Sequence, residues 1–177
     1  MEHQACVREA RLEDAAGMAQ VQVAAWQAAY RGLLPDGTLD CLSVEAAQKQ
    51  WHERLADPAG EYLVAAAAGR VAGLIGYGPA HDEDVDPAQV GEIDILYVAP
   101  GEWRKGHGTA LVREAVARLE EKGATEVVLW VLHNNAPAIA FYQAAGFVAD
   151  GATQVKQRRD GTEMLLARYR RQAVSPR

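Results

Sequence analysis

The sequence predicts a single α/β domain in which helices cover a central β-sheet. The chain has 177 residues, an ordinary length for one domain. Segments with the alternating pattern of strands are separated by segments with the spacing of amphipathic helices. Near the middle of the chain a strand, a glycine-rich turn and a helix follow one another directly, a unit typical of α/β proteins.

The N-terminal half combines two helical patterns with three strand patterns. Apolar residues recur at helical spacing over residues 13–30, and Gly32 follows as a stop signal. Ser43 is a suitable N-cap for a second helix that extends to about residue 56. The predicted strands are residues 5–10 and a hairpin of residues 62–67 and 71–77 around Gly69 and Arg70.

The C-terminal half alternates strand and helix more regularly. One helix opens at Thr109 and stops at Gly123, and a second covers residues 137–145. We expect the domain to span residues 1–171 and residues 172–177 to form a disordered tail. The predicted strands are residues 92–98, residues 126–132 and a hairpin of residues 154–159 and 163–169.

The composition argues against several classes of protein. The net charge of −6 argues against nucleic acid as a partner, because binding to a phosphate backbone needs a basic face. No apolar run approaches the ~18 residues of a membrane span, so we expect no membrane anchor. Cys6 and Cys41 are too few and too far apart for a disulfide framework or a metal cluster. We therefore predict no metal and a cytoplasmic location.

The segment from Trp103 to Gly108 predicts an anion-binding turn. A helix opens just after it, and Gly106 and Gly108 allow a phosphate to approach the backbone closely. Unpaired N–H groups and the positive end of the helix dipole meet there, and Arg104 and Lys105 add charge. The spacing matches neither a Walker A loop nor a dinucleotide fingerprint. We predict a diphosphate ligand; the alternative is that the glycines only cap a tight turn.

A second motif lies downstream of the turn. It has the pattern Asn-x-x-Ala-x-x-Phe-Tyr-x-x-x-Gly-Phe and consists of Asn135, Ala138, Phe141, Tyr142, Gly146 and Phe147. Together with the glycine turn, it closely resembles the GNAT superfamily of acetyl-CoA-dependent N-acetyltransferases. The resemblance is strong over residues 71–147, and residues 26–36 also resemble a bacterial subgroup whose acceptors are mostly unassigned. It implies an α/β (α+β) fold with a mixed, mostly antiparallel central sheet flanked by helices.

The resemblance implies acetyl-CoA as the cosubstrate and indicates which residues hold it. The pantetheine arm would lie along the fourth strand, held by main-chain groups of Tyr97 and Val98. A main-chain N–H near Val98 would polarise the thioester carbonyl. Asn135 would hydrogen-bond the pantetheine, cap the following helix, or do both. The pyrophosphate would lie against Arg104, Lys105, Gly106, His107, Gly108 and Thr109.

The resemblance also indicates an acid and a base. Tyr142 would protonate the departing CoA thiolate, with packing in the core as its alternative role. Glu92 would deprotonate the amine through water, and Asp94 is the second candidate for this role. Strand alternation places Glu92, Asp94, Leu96 and Val98 on one face, and two like charges there are expected to raise the pKa of one carboxylate. The alternative is that both carboxylates face solvent.

The acceptor site is expected to include Tyr30 and Asp94. Trp26 lies four residues before Tyr30 on the same helical face, and we expect Trp26 in the core and Tyr30 at the pocket. Residues 81–94 contain six carboxylates and no Lys or Arg. Such a run is either a solvated surface or an attraction for a cationic amine. The predicted acceptor is a small cationic molecule.

Other functions stay open at the level of sequence. The acceptor amine is alternatively a protein N-terminus or a lysine side chain, and the transfer is alternatively to oxygen or of a longer acyl chain. A non-catalytic acyl-CoA sensor is a different class of protein. The presence of Asn135, Tyr142 and Glu92 together argues against a sensor, because a pure binding module needs no acid or base. A homodimer is compatible with the sequence, although no motif demonstrates one.

Overall fold

The computed structural model describes residues 6–173, which build a seven-stranded sheet. The strands are β1 (Cys6–Glu9), β2 (Glu61–Ala67), β3 (Arg70–Pro79), β4 (Val90–Val98), β5 (Glu126–Leu132), β6 (Val148–Gln157) and β7 (Glu163–Gln172). Their order in the sheet is β1-β2-β3-β4-β5-β7-β6. All neighbours are antiparallel except β4 and β5, which are parallel. The predicted mixed, mostly antiparallel sheet is therefore confirmed.

Helices cover both faces of this sheet. They are α1 (Ala15–Ala29), α2 (Asp36–Asp40), α3 (Val44–Ala56), α4 (His107–Glu121) and α5 (Ala136–Ala144). On one face α1 and α3 bury Met18 and Trp51, and on the other face α4 and α5 pack around Leu111 and Phe147. Within residues 6–173, no helix has the length and apolar character needed to cross a bilayer.

Most predicted elements are present, with shifts at their ends. Helix α4 begins at His107 rather than at Thr109. Helix α2 and the first part of β6 lie where the sequence predicts no regular element. Strand β7 runs to Gln172 and Ala173 is fully buried, so these two residues of the predicted tail pack with the sheet. Residues 174–177 of the predicted tail lie outside the described residues.

Strand β4 contains a β-bulge at Asp94. Ile95 pairs with Gly76 and Ile93 pairs with Tyr77, so Asp94 is an extra residue without a partner on β3. A bulge of this kind shifts the alternation of side chains between the two faces of a strand. Residues before and after position 94 therefore do not follow one continuous alternation.

The bulge corrects one prediction about the faces of β4. Leu96 packs in the core beneath α4, and Val98 lies beside Gly108 at the start of that helix. Glu92 and Asp94 instead line a cavity on the side of the sheet that α1 covers. The prediction that all four residues share one face is wrong, because simple alternation does not hold across a bulge.

Strands β4 and β5 separate beyond the bulge. Their pairing is confined to residues 90–93 of β4 and residues 126–129 of β5. Within the described residues, the edge of β4 that faces β5 therefore has no strand partner over residues 94–98. The separation opens a gap in the sheet and exposes main-chain groups that an extended ligand can bind.

Arg168 of β7 connects three aspartates from two separate segments. Its guanidinium donates hydrogen bonds to Asp82 at 2.9 Å, to Asp84 at 2.7 and 2.6 Å, and to Asp150 at 2.7 Å. The hydrogen bonds from Arg168 hold the pKa of Asp84 below its ordinary value. Two carboxylates of the acidic segment before β4 are thereby paired with a cation of the protein itself, so they attract a cationic ligand only weakly.

Loss of Arg168 is expected to destabilise the fold. Its side chain is 5% exposed, and its removal leaves the aspartates without their shared counter-charge. We expect Arg168→Ala to lower the free energy of unfolding by about 3 kcal/mol, the low end of the range for buried ion pairs, because the aspartates keep some contact with water. Urea denaturation measures this loss. Arg70→Ala, at an exposed arginine of β3, is the control and should change stability by less than ~0.5 kcal/mol. Equal effects of the two substitutions would contradict the structural role of Arg168.

Candidate active site

A cavity of about 220 Å³ lies beside the gap between β4 and β5. This volume is below the ~300–1,000 Å³ of most small-molecule sites, so the cavity suits a small ligand or one end of a larger ligand. Aromatic side chains supply much of its wall, and two carboxylates supply its negative charge. These residues are Trp26, Tyr30, Tyr97, Trp130, Glu92 and Asp94.

Glu92 is the more enclosed of the two carboxylates. Its Oε2 accepts a hydrogen bond from the N–H of His81 at 3.2 Å. Burial raises the pKa of Glu92, the hydrogen bond from His81 opposes this rise, and the charges of Asp82 and Asp94 add to it. The expected rise in pKa is present, but burial is its main cause and the like charge of Asp94 is a minor one. A carboxylate with a raised pKa is a better base near neutral pH.

Asp94 occupies a more open position at the bulge. Its Oδ1 lies 2.7 Å from the point where a Cβ on Gly76 would stand, so the glycine on β3 leaves room for this carboxylate. Burial of the carboxylate raises the pKa of Asp94 as well. The position of Asp94 suits contact with an ammonium group in the cavity.

Three tyrosines lie close enough together to affect one another's ionisation. Burial raises the pKa of Tyr30 to about 12, with a further contribution from Tyr97. Burial also raises the pKa of Tyr142 far above its ordinary value, and Tyr30 and Tyr97 add to this rise. The centre of the Tyr142 ring lies 5.3 Å from the centre of the Phe141 ring and 6.0 Å from that of the Phe147 ring. Tyr142 is thus packed among aromatic residues and stays protonated at neutral pH, so its hydroxyl is able to donate a proton.

The main chain of β4 faces the gap at Val98. The N–H of Ala99 donates to the carbonyl of Ala72 on β3 at 2.8 Å, and main-chain groups alternate between the two sides of a strand. Val98 therefore directs its N–H and carbonyl away from β3, whereas Tyr97 directs its own towards β3. The carbonyl of Val98 accepts a hydrogen bond from Nε1 of Trp103 at 2.8 Å. Val98 thus offers a main-chain donor at the gap, and Tyr97 offers its phenol to the cavity.

The turn before α4 has the backbone geometry of an anion site. Gly106 has a φ of +87° and Arg104 has a φ of +60°, both in the left-handed region, which glycine adopts without strain. The first hydrogen bond of α4 runs from the N–H of Ala110 to the carbonyl of Gly106 at 3.0 Å. The helix therefore provides no acceptor for the N–H groups of His107, Gly108 and Thr109, which are free to bind an anion.

The side chains of the turn have separate roles. Lys105 Nζ and His107 Nε2 each lie 3.2 Å from Oε2 of Glu102. The His107 side chain is buried, so an anion outside the turn can contact His107 only through its main-chain N–H. Arg104 is exposed and takes no part in this cluster, which leaves it as the cation best placed to meet a phosphate.

Asn135 has the capping role that the sequence left as one possibility. Its Oδ1 accepts a hydrogen bond from the N–H of Ala138 at 3.4 Å, which makes Asn135 the N-cap of α5. The residue is largely buried. Within the described part of the chain, its amide nitrogen donates no hydrogen bond, so this donor is available to a ligand.

Thr109→Glu separates anion binding from folding at the turn. Thr109 is exposed in the first turn of α4, where a carboxylate stabilises a helix. The substitution should therefore maintain or raise Tm, yet weaken CoA binding at least ~10-fold by charge repulsion. Gly108 is less suitable for this test, because a Cβ there would lie 3.2 Å from Phe141.

Calorimetric titration with CoA measures the effect of Thr109→Glu. Thr109→Gln is the neutral control of equal size and should bind CoA nearly as well as the wild type. Equal affinity of wild type and Thr109→Glu would show that the diphosphate lies elsewhere.

Three aromatic or charged residues of the cavity are absent from the predicted site. Trp130 lines the cavity and its Nε1 lies 3.2 Å from the carboxylate of Asp82, and Lys156 of β6 also lines the cavity. Trp26 packs against a core cluster and also lines the cavity, where the centre of its ring lies 4.8 Å from that of Tyr30. The four-residue spacing of Trp26 and Tyr30 on one helix could have indicated that both line the same cavity. Lys156 has no local signal, because the hairpin of β6 and β7 reaches the cavity only through the tertiary fold.

Comparison with known proteins places this architecture in a family. Residues 23–147 match the model of the acetyltransferase (GNAT) family. The chain is 31% identical over 138 residues to an uncharacterized N-acetyltransferase, YuaI, of Bacillus subtilis (strain 168), covering 78% of this chain and 77% of that protein. It is 36% identical over 129 residues to the mycothiol acetyltransferase of Clavibacter sepedonicus, covering 73% of this chain but 37% of that longer protein.

The fold is also similar to a solved structure with a bound coenzyme. The PaiA N-acetyltransferase from Thermoplasma acidophilum, in complex with coenzyme A, superimposes with a TM-score of 0.71 at 20% identity, covering 94% of this chain and 98% of that chain. The sheet, its gap and the matched residues define an acetyl-CoA-dependent acyltransferase. The chain belongs to the GNAT acetyltransferase family.

Proposed function

We propose that this protein transfers the acetyl group of acetyl-CoA directly to the amine of a small molecule. The observation that carries this proposal is the arrangement at the gap between β4 and β5. Val98 offers its main-chain N–H at the gap, the cavity beside it contains Glu92, and the Tyr142 phenol lies close to those of Tyr30 and Tyr97. A thioester in the gap and an amine in the cavity would meet between a base and an acid.

Three features support binding of acetyl-CoA along the gap between β4 and β5 and at the turn before α4. The free N–H groups at the start of α4 and the charge of Arg104 suit a pyrophosphate. The open edge of β4 suits an extended pantetheine arm, which gains main-chain hydrogen bonds as an added strand does. The amide nitrogen of Asn135 suits a carbonyl of the same arm.

Different residues of the site act as the base, the stabiliser of negative charge and the acid of the transfer. Acetyl-CoA supplies an activated acetyl group as a thioester. An alkylammonium has a pKa of ~10, so the acceptor must lose a proton before it attacks. Glu92 accepts this proton through an intervening water, and the N–H of Val98 stabilises the negative charge that develops on the carbonyl oxygen. Tyr142 donates its proton to the departing sulfur.

The cavity also supports a small acceptor that binds through its ammonium group. Its volume of about 220 Å³ is too small for a folded segment of protein. Glu92 and Asp94 supply the negative charge that an ammonium group requires. The acidic segment before β4 supports this less than its composition indicates, because Arg168 already pairs with Asp82 and Asp84.

A CoA-release assay with a panel of amines tests the proposed function. The panel contains alkylamines, polyamines and amino acids, together with peptides that carry a free N-terminus or a lysine. We expect turnover with at least one small amine and detection of its N-acetylated product by mass spectrometry. Faster turnover of the peptides than of every small amine, or acetyl-CoA binding without any turnover, would contradict the proposal.

A further inference from the structure

The cavity carries positive as well as negative charge. Lys156 of β6 lines it together with Glu92 and Asp94. Arg158, two residues further along the same hairpin, places its guanidinium 4.7 Å from the centre of the Trp26 ring, which is part of the cavity wall. One hairpin therefore brings Lys156 to the cavity and Arg158 to the Trp26 ring of its wall, whereas the carboxylates come from β4.

The positive groups on this side are not saturated by protein acceptors. Lys156 is an exposed residue at the rim of the cavity and forms no ion pair within residues 6–173. The Nε of Arg158 is buried without a hydrogen-bond acceptor, and the nearest carboxylate, that of Asp160, lies 3.8 Å away. The Nε1 of Trp26 is also buried, and it lies near the Tyr97 hydroxyl without forming a hydrogen bond of good geometry. Buried N–H donors are nearly always paired in folded proteins, so these two indicate a missing acceptor.

Two other cations of the β6–β7 hairpin differ from Lys156 and Arg158, because each has close carboxylate partners. Arg168 donates to three aspartates, and Arg170 pairs with Glu126 and Asp150. Lys156 and Arg158 have no such close partners, because Lys156 forms no ion pair among the described residues and the carboxylate of Asp160 lies 3.8 Å from Nε of Arg158. The two buried groups without partners are donors, so the missing partner is an acceptor, and the charges of Lys156 and Arg158 favour an anionic one.

We propose that the acceptor substrate is a small zwitterion, an amine that also carries a carboxylate or a similar anion. This inference rests on the proposed function and specifies its substrate class. The ammonium group lies towards Glu92 and Asp94, and the anion lies towards Lys156 and the Trp26–Arg158 pair. The remaining wall is aromatic and aliphatic, so the side group of the substrate is apolar.

Matched pairs of ligands test this inference by binding. The pairs are leucine with 3-methylbutylamine and phenylalanine with 2-phenylethylamine, which differ only in the carboxylate. Each ligand is titrated calorimetrically into the full-length protein in the presence of CoA, so the readout does not need turnover. We expect each amino acid to bind at least ~10-fold more tightly than its amine, because a carboxylate accepts charge-assisted hydrogen bonds.

Variants of the hairpin show which residues cause the preference. Lys156→Gln and Arg158→Gln should each reduce the preference for the amino acid and leave the affinity for the amine nearly unchanged. Arg159→Gln, at an exposed neighbour, is the matched control and should keep the preference. Equal binding of the two members of a pair, no binding of either member, or an equal loss in Arg159→Gln would overturn the inference. If only the proposed function fails, the protein will still bind the amino acid more tightly than the amine, but it will release no CoA.

Discussion

Glu92→Gln is expected to lower kcat/KM about 10²–10³-fold at neutral pH, within the range for loss of a general base. The amide oxygen of Gln keeps an acceptor for the N–H of His81, which now donates to Glu92 at 3.2 Å, so the local structure should persist. The variant loses only the ability to take a proton. Steady-state kinetics with the best acceptor of the amine panel measure the effect.

The pH dependence gives a sharper test of Glu92 than the rate alone. A base acts only when it is deprotonated, so wild-type kcat/KM falls as pH drops through the pKa of Glu92. Burial raises this pKa above the ordinary value of 4.5. The fall in kcat/KM at low pH, which forms the acidic limb of the pH profile, is therefore centred above pH 4.5. Glu92→Gln should abolish this limb, and Asp94→Asn should retain it. A limb that is unchanged in Glu92→Gln and lost in Asp94→Asn would transfer the role of base to Asp94.

Tyr142→Phe is expected to lower kcat about 10²-fold with little change in the affinity for acetyl-CoA. Within the described residues the Tyr142 hydroxyl has no hydrogen-bond partner, so its removal leaves no protein group unsatisfied and the fold should persist. The raised pKa keeps the phenol protonated, so its ionisation should cause no loss of activity as pH rises to 10.

Tyr30→Phe is the matched control for Tyr142→Phe. It removes a second phenol from the same group of tyrosines, but one that the mechanism does not use as an acid. Its effect on kcat should be below ~10-fold, with any larger change in KM for the acceptor. An unaltered kcat in Tyr142→Phe, under conditions where the chemical step limits turnover, would remove the role of general acid from this residue.

The sequence predicts the parts of the site that depend on local structure. The anion turn is an example, because the positive φ at Gly106 and the free N–H groups of α4 follow from a few adjacent residues. The N-cap at Asn135 is local in the same sense. The order of strands and helices also follows from short-range patterns, and the resemblance to a family supplies their arrangement in the sheet.

Features that depend on distant contacts are not predictable in this way. The bulge at Asp94 exists only in the pairing of β4 with β3, so the alternation of the isolated strand predicts wrong faces for Leu96 and Val98. Arg168 is one basic residue among several in the sequence, and only the fold brings it to Asp82 and its other partners. The arrival of Lys156 at the cavity likewise depends on the position of a whole hairpin.

Hydrogen–deuterium exchange with and without acetyl-CoA tests most directly whether the gap between β4 and β5 is the binding site. We expect slower exchange in peptides that contain residues 94–98 and 106–109, because the N–H of Val98 faces the gap and those of His107, Gly108 and Thr109 have no acceptor in the helix. A second cavity of about 270 Å³, lined by Glu9, Tyr62 and Arg118, serves as an internal control and should show no change. Protection of that cavity, with unchanged exchange at residues 94–98 and 106–109, would contradict the account.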